Sequence, residues 1–450
     1  MIRFRLFLLL MVCGLSMTGQ DFSNKGKDFW LVYPDHVDAN NSSMGIYITS
    51  DVNASGVIRV GGTNIPFTVT ANAVTRKFIG PNGQGDASNI GIVHTLPDGI
   101  LAGAGIHVTS DQPVVVYAHI IRTSRSGATL ALPVSVLGKE YIVPSYKSAG
   151  ASGVNSGYGE VTVVAPEANT VVEITPVANS RSGTRQPGIP FTITLNNPGD
   201  VYQIQFEKDA DISGTRVRSI ASGTGACKPI AVFSATTWSA FPCGGATGGD
   251  NLFQQLFPIK SWGKTFVTAP FYNRSYDIIR VFISDPATVV RKTENGQTTT
   301  LANISAAGFY EFTTNNPVLI EADKPVSAVQ YLVSQTCGLP GTNADPEMVI
   351  LNPVEQTINN ITVFSAHQNW VPVGQSNVNQ CYLNIIIKSS LASSFRINNN
   401  LPTGTFRNIP GTNYAYLQEN VSVLSQTNPV QNLRADSAFI AIAYGYGQYE

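Results

Sequence analysis

Three acidic residues draw attention by where they sit. Asp250 in GGDNLFQQLFP, and Asp345 and Glu347 in NADPEMVILNP, each precede an apolar stretch in a long polar connection. Carboxylates gathered from two such connections could hold a calcium ion or, as a close pair, cleave a glycosidic bond. Neither stretch has the regular oxygen alternation of a calcium loop, and Asp and Asn also bond their own backbone in turns. Repeated turn chemistry is therefore the plainer reading. Arg125 in HIIRTSRSGATLAL and Trp238 in TWSAFPCGGATGGD stand in equivalent connections at 119–132 and 237–257, the third being 333–352. Long connections concentrate binding residues. Arg125, Trp238, Asp250, Asp345 and Glu347 are accordingly the candidate binding residues.

Other chemistries find little support. The five histidines (36, 94, 107, 119 and 367) are scattered and none forms an HExxH pair. There is no GxSxG elbow and no phosphate-binding GxxxxGK[ST]. The glycine-rich stretch GPNGQGDASNIG has no helix pattern after it and reads as a polar loop. Asp35 and Asp38 are one carboxylate pair among many. The sequence gives no catalytic residue, metal or cofactor to expect. Charged residues make up 13% and net charge is −1, which offers no basic stripe for nucleic acid.

Four cysteines follow the N-terminal region: Cys227, Cys243, Cys337 and Cys381. An even number in an exported chain suggests disulfides. Cys227 and Cys243 flank the apolar run KPIAVFSATTW and could close a loop, leaving Cys337 to pair with Cys381. None has the CxxC spacing of a zinc site. Export is read from residues 1–20, MIRFRLFLLLMVCGLSMTGQ: Arg3 and Arg5, then an apolar run, then small residues, the order of a signal peptide. Cys13 raises lipidation, but Val12 precedes it where a lipobox has a small residue. No other segment is apolar enough to cross a membrane.

The elements that would position these residues form a repeat. GKDFWLVYP (26–34), GKEYIVPSY (138–146) and GKTFVTAPF (263–271) share Gly-Lys-x-aromatic before an apolar run. Pro133 and Pro258 stand five residues before two of these glycines. Pro353 stands five residues before Ile358, opening a fourth copy without Gly-Lys. Each copy then has two alternating apolar runs across a polar turn, read as a hairpin: 44–60, 159–176, 277–294 and 383–399. A middle strand, an aromatic strand and a closing strand follow, the last entered at a proline in DQPVVVYAHI, CKPIAVFSAT and DKPVSAVQYL. Phe29, Tyr141 and Phe266 are expected as equivalent core positions, with Ile361 in the fourth copy. Six or seven strands in about a hundred residues is the size of an antiparallel β-sandwich rather than a propeller blade. The expected fold is all-β: four tandem antiparallel β-sandwich-like repeats at 21–132, 133–257, 258–352 and 353–450 after a signal peptide at 1–20. A propeller-like ring of β-sheet blades is the alternative.

GKDFWLVYP, CKPIAVFSATTW, GGDNLFQQLFPIKSWGKTF and DPEMVILNPVEQTINNITVFS, in that order, resemble a family of exported bacterial proteins. These carry the domain named for the N-terminal region of the IgG Fc-binding protein. The resemblance spans residues 26–450 and implies a surface or secreted protein with no motif of catalytic residues to transfer. It does not by itself transfer immunoglobulin binding. The resulting expectation is a non-enzymatic secreted or cell-surface binding or adhesion protein. Its partner would be an extracellular protein or glycan: a host glycoprotein, mucin or polysaccharide. A structural spacer is the alternative, and a carbohydrate-active hydrolase a more distant one.

Overall fold

A computed structural model describes residues 24–38, 42–80, 87–88, 97–122, 125–149, 157–221, 223, 225–241, 248–337, 343–372, 374, 376–448 and 450. The expected signal peptide at 1–20, Cys13 and Cys243 lie outside them. The chain is all-β; among the described residues the sheets are antiparallel but for one short parallel pair, and there is a single short α-helix, Ser422–Thr427.

Strands group by the sheets they share into four modules with one plan. In the first, a long closing strand, Ile106–Ile121, runs through both sheets. Its first half pairs with the opening strand Gly26–Leu31 on one side and with Ala54–Val60 on the other, and Thr63–Val69 extends that sheet. Its second half pairs with Ser43–Thr49, which in turn pairs with Val74–Gly80. In the third module Val318–Leu332 plays the same double part, and in the fourth Val430–Gly447 does. In the second module the closing strand is broken into Arg216–Ile220 and Ala231–Thr236, and the two sheets separate.

This plan corrects the hairpin reading. Ser43–Thr49 and Ala54–Val60 do not pair with each other; each pairs with a different half of the closing strand. Tyr158–Val164 and Thr170–Thr175 likewise lie in separate sheets. Two amphipathic runs across a polar turn suit a sandwich corner as well as a hairpin, because both present one apolar face to the same core. The hairpin falls one strand later, between Ala54–Val60 and Thr63–Val69.

Register confirms the repeat residue by residue. Phe29, Tyr141, Phe266 and Ile361 stand opposite Val108, Val217, Ile320 and Leu433. The first three are fully buried and Ile361 is half-buried. In Tyr158–Val164, Val161 and Val163 join Ala165 in the module's own core, whereas Val164 on the other face packs into the first module's core. Both faces of this strand are covered.

The Gly-Lys motif has a geometric cause. A Cβ added to Gly26 would lie 2.2 Å from the Cβ of Pro133, one at Gly138 2.3 Å from that of Pro258, and one at Gly263 2.1 Å from that of Pro353. Each glycine admits the proline that opens the next module. The three prolines share one conformation (φ −66°, −66° and −69°), each leading into a single 3-10 turn. The lysines brace the strand: Lys27 Nζ donates to the carbonyl of Asp111 at 2.8 Å and Lys264 Nζ to that of Asp323 at 2.9 Å. The fourth copy has Ile358 where the others have glycine.

The first and fourth modules also touch. Tyr47 stacks on Phe364, with ring centroids 4.2 Å apart, and Arg76 lies over the Trp370 ring at 5.6 Å. The four modules thus surround a shared interior.

Candidate ligand cavity at the meeting of the four modules

The long connections at 119–132, 237–257 and 333–352 each carry a short return strand beside the closing strand. These are Ser126–Leu130, Phe253–Gln255 and Glu347–Ile350. They converge. Gln255 N–H donates to Thr129 Oγ1 at 2.7 Å, Leu132 N–H to Gln255 Oε1 at 2.9 Å, and Gln254 Nε2 to the Ala128 carbonyl at 2.8 Å. Between them and the fourth module lies a cavity of about 290 Å³ lined by residues of all four modules. Its wall includes Tyr47, Tyr117 and His119 from the first and Asp250 and Gln255 from the second. Asp345 and Glu347 come from the third, and Phe364, Tyr444 and Glu450 from the fourth.

The wall is rich in polar groups without a protein partner. Both carboxylate oxygens of Asp345, Gln255 Nε2, His119 Nδ1 and Glu450 Oε1 are buried without a hydrogen bond. Asp345 is 4% exposed. Burial pushes its carboxyl up to about 7; Glu450 adds to the rise, and the Arg274 and Arg125 guanidiniums oppose it. Burial raises Glu347 to about 8. Asp250 is raised by burial first and by Asp345 next, while N–H groups of Ser126 (2.7 Å) and Asn251 (2.8 Å) bonded to its Oδ1 hold it down. His119 is kept neutral by burial, its pKa lowered to about 3. An uncompensated buried charge is costly. In an unfilled cavity these acids gather protons rather than charge.

Of the five candidate residues, Asp250, Asp345 and Glu347 line the cavity, although they come from different modules. Arg125 and Trp238 stand behind it. Arg125 is bound by both oxygens of Asp38 (2.9 and 3.1 Å) and lies over the Trp238 ring at 5.0 Å. Trp238 is buried, so it is a packing residue rather than an exposed sugar platform. Sequence reasoning missed Tyr117, His119, Gln255, Phe364, Tyr444 and Glu450. The alternation in VVVYAHII and IAIAYGYG carries a signal for part of this set, since closing-strand residues on the face away from their own core point to the shared interior.

The expected disulfide scheme fails. Cys227 and Cys381 are free, so neither Cys227–Cys243 nor Cys337–Cys381 forms. Cys227 sits in the break of the second closing strand, and Cys381 is buried in the fourth module's core. Cys337 is disulfide-bonded. Among the described residues no group of three or more His, Cys, Asp or Glu is arranged to hold a metal, and no helix is long and apolar enough to cross a membrane.

A modular all-β scaffold whose units pool their return strands around one interior is the class this geometry defines. The chain belongs to the IgGFc binding protein family, whose model matches residues 127–445. The match starts within the first return strand, so the first module lies ahead of it while sharing its plan and register. No match is found among curated proteins. Among solved structures the chain has a slight likeness to a GH78 family rhamnosidase of Bacillus sp. GL1. It is 9% identical, with a TM-score of 0.13 over 77% of this chain and 56% of that one. That level carries no argument.

Proposed function

We propose that this chain is a secreted or cell-surface binding protein that performs no chemistry and recognises an extracellular protein or glycan at the four-module interior and its rim. Family membership supports the binding role. The single observation that carries the site is the cavity wall, where buried polar atoms of Asp345, Gln255, His119 and Glu450 lack partners. Unmade buried hydrogen bonds cost about 1–3 kcal/mol each, and a ligand that makes them recovers that cost. A spacer would have no use for such a wall.

The hydrolase alternative draws on the same carboxyls. Glycoside hydrolysis needs one carboxyl protonated and its neighbour ionised, whereas Asp250, Asp345 and Glu347 are all shifted towards the protonated form. Family membership favours binding over catalysis. The test is an array of glycans, mucins and host proteins, IgG Fc among them because the family carries that name, probed with purified residues 21–450. Binding by the native protein and none by the heat-denatured one is expected. Equal signal from both, or turnover of a glycoside panel, would overturn the proposal.

A further inference from the structure

We infer that the four-module cavity takes an organic cation, an ammonium or guanidinium group carried next to an oxygen acceptor, with Asp345 as the principal anchor. This rests on the binding role proposed above and specifies the chemistry of its central contact.

The inference starts from the mismatch between donors and acceptors in the wall. Asp345 presents two unpartnered oxygens and Glu450 and Asn24 one each, whereas Gln255 Nε2 is the one unpartnered amide nitrogen; His119 Nδ1 and Ser365 Oγ are also open and can serve either way. Asp345, Glu450 and Gln255 are each more than nine-tenths buried. Open acceptor oxygens outnumber the single open amide nitrogen, which calls for a ligand with several N–H donors beside an oxygen. The charges around the site agree. Asp250, Asp345, Glu347 and Glu450 face the cavity. Arg125, already held by Asp38, and Arg274, which donates to the carbonyls of Val333 and Ser334, act on it from behind. His119 is neutral. An incoming cation meets an excess of carboxyls.

Tyr47, Tyr117, Phe364 and Tyr444 complete the wall. Aromatic faces attract cations and cover the apolar stem behind an ammonium group. This separates an organic cation from a metal ion, which needs several oxygen or nitrogen donors converging on one point. The described acids and histidines do not converge in that way. About 290 Å³ suits one small group rather than a chain of sugars. The cation is thus an amino sugar or a basic side chain presented by a peptide, two sources of one chemistry.

Calorimetric titration of the purified protein with D-glucosamine, D-glucose, Nα-acetyl-lysine methylamide, cadaverine and calcium chloride tests this. Glucosamine or the lysine derivative should bind at least tenfold more tightly than glucose, and whichever binds identifies the source. Cadaverine, lacking the oxygen, should bind more weakly than that ligand. With the lysine derivative, whose amine stays charged throughout, binding near pH 6 should release protons, measured in two buffers of different ionisation enthalpy, and at pH 9 the release should vanish. Asp345→Asn should lose at least tenfold in affinity, with Glu347→Gln losing less and serving if the first variant misfolds. Glucose binding as well as glucosamine, calcium binding with no amine response, or no heat from any probe would overturn the inference. If the array finds a ligand indifferent to Asp345→Asn while the amines fail, this inference falls and the proposed function stands. If the amines bind and the array stays empty, the reverse holds.

Discussion

The joints between modules and the interior they enclose are built on opposite terms. At the second-to-third joint the Arg280 guanidinium lies over Tyr146 (4.2 Å) and Phe309 (4.4 Å). It pairs with Asp211 (2.8 Å) and Glu311 (2.7 Å), and donates to the Ser145 carbonyl and Ser213 hydroxyl, both at 2.8 Å. Close by, Gly138 meets Pro258 with no room for a methyl group. In the cavity, Asp345 is as deeply buried and has nothing bonded to either oxygen. The joint spends the Arg280 fork on holding its neighbour, while the interior keeps several polar groups in reserve. A buried group left unpaired is a cost that the rest of the fold offsets, and such costs collect where a protein meets its ligand.

The sharpest way to break this comparison is to crowd a joint. Gly263→Ala should destabilise the protein by about 1–3 kcal/mol through overpacking, read as a lower urea midpoint. Adding Pro353→Gly should return part of that loss, because the two positions share one contact. A double variant no better than the sum of its parts would separate the glycine from the proline. Relieving the interior should act the other way. Asp345→Asn removes a buried carboxylate and should stabilise the empty protein at pH 8 by about 1–3 kcal/mol; destabilisation there would show that Asp345 has a structural partner.

Proton linkage extends the same contrast. Burial raises Asp277 and Asp345 to about 7 and Glu347 to about 8. Unfolded, these carboxyls ionise near pH 4. Between about pH 4 and 8 the folded chain holds protons that the unfolded chain has released, so their stabilising effect is full below that window and lost as pH rises through it. Melting temperature should fall by several degrees from pH 5 to pH 8, and by less in Asp345→Asn. The buried His36 and His119, lowered to about 4 and 3, act the other way below pH 6.5, so the decisive comparison is with Asp345→Asn: equal slopes in the two proteins would contradict the raised carboxyl of Asp345. A smaller effect belongs to the brace: Lys264→Ala should cost about 1 kcal/mol or less, being a single exposed contact. Thiol labelling gives a further check. Cys227 should react in the native protein, whereas Cys381, buried and with its pKa raised to about 11, should react only on unfolding.

Much of the architecture was legible in the sequence. Alternation and the repeated opening motif are local patterns, so they located the strands and aligned Phe29, Tyr141 and Phe266 in a register the structure shares. What was not legible depends on partners far apart in the chain. The glycine's reason lies in a proline of the following module. The second strand pair split between sheets because an amphipathic run records which face is apolar, not which strand lies beside it. The cysteine pairing failed because spacing does not determine connectivity. For the site, acidic residues in equivalent connections pointed to Asp250, Asp345 and Glu347, but the aromatic and amide wall was hidden in strands that read as ordinary core.

The glycine–proline contact also acts as a rule of order. The second and third modules each carry both halves, a proline facing back and a glycine facing forward. The first carries only the glycine, with Asp21 where the proline would stand, and the fourth carries only the proline. Exchanging the two middle modules would leave every such contact intact, whereas moving the fourth ahead of any other would press Ile358 against a proline ring. Three small contacts thus record a sequence of neighbours, much as a key records its lock.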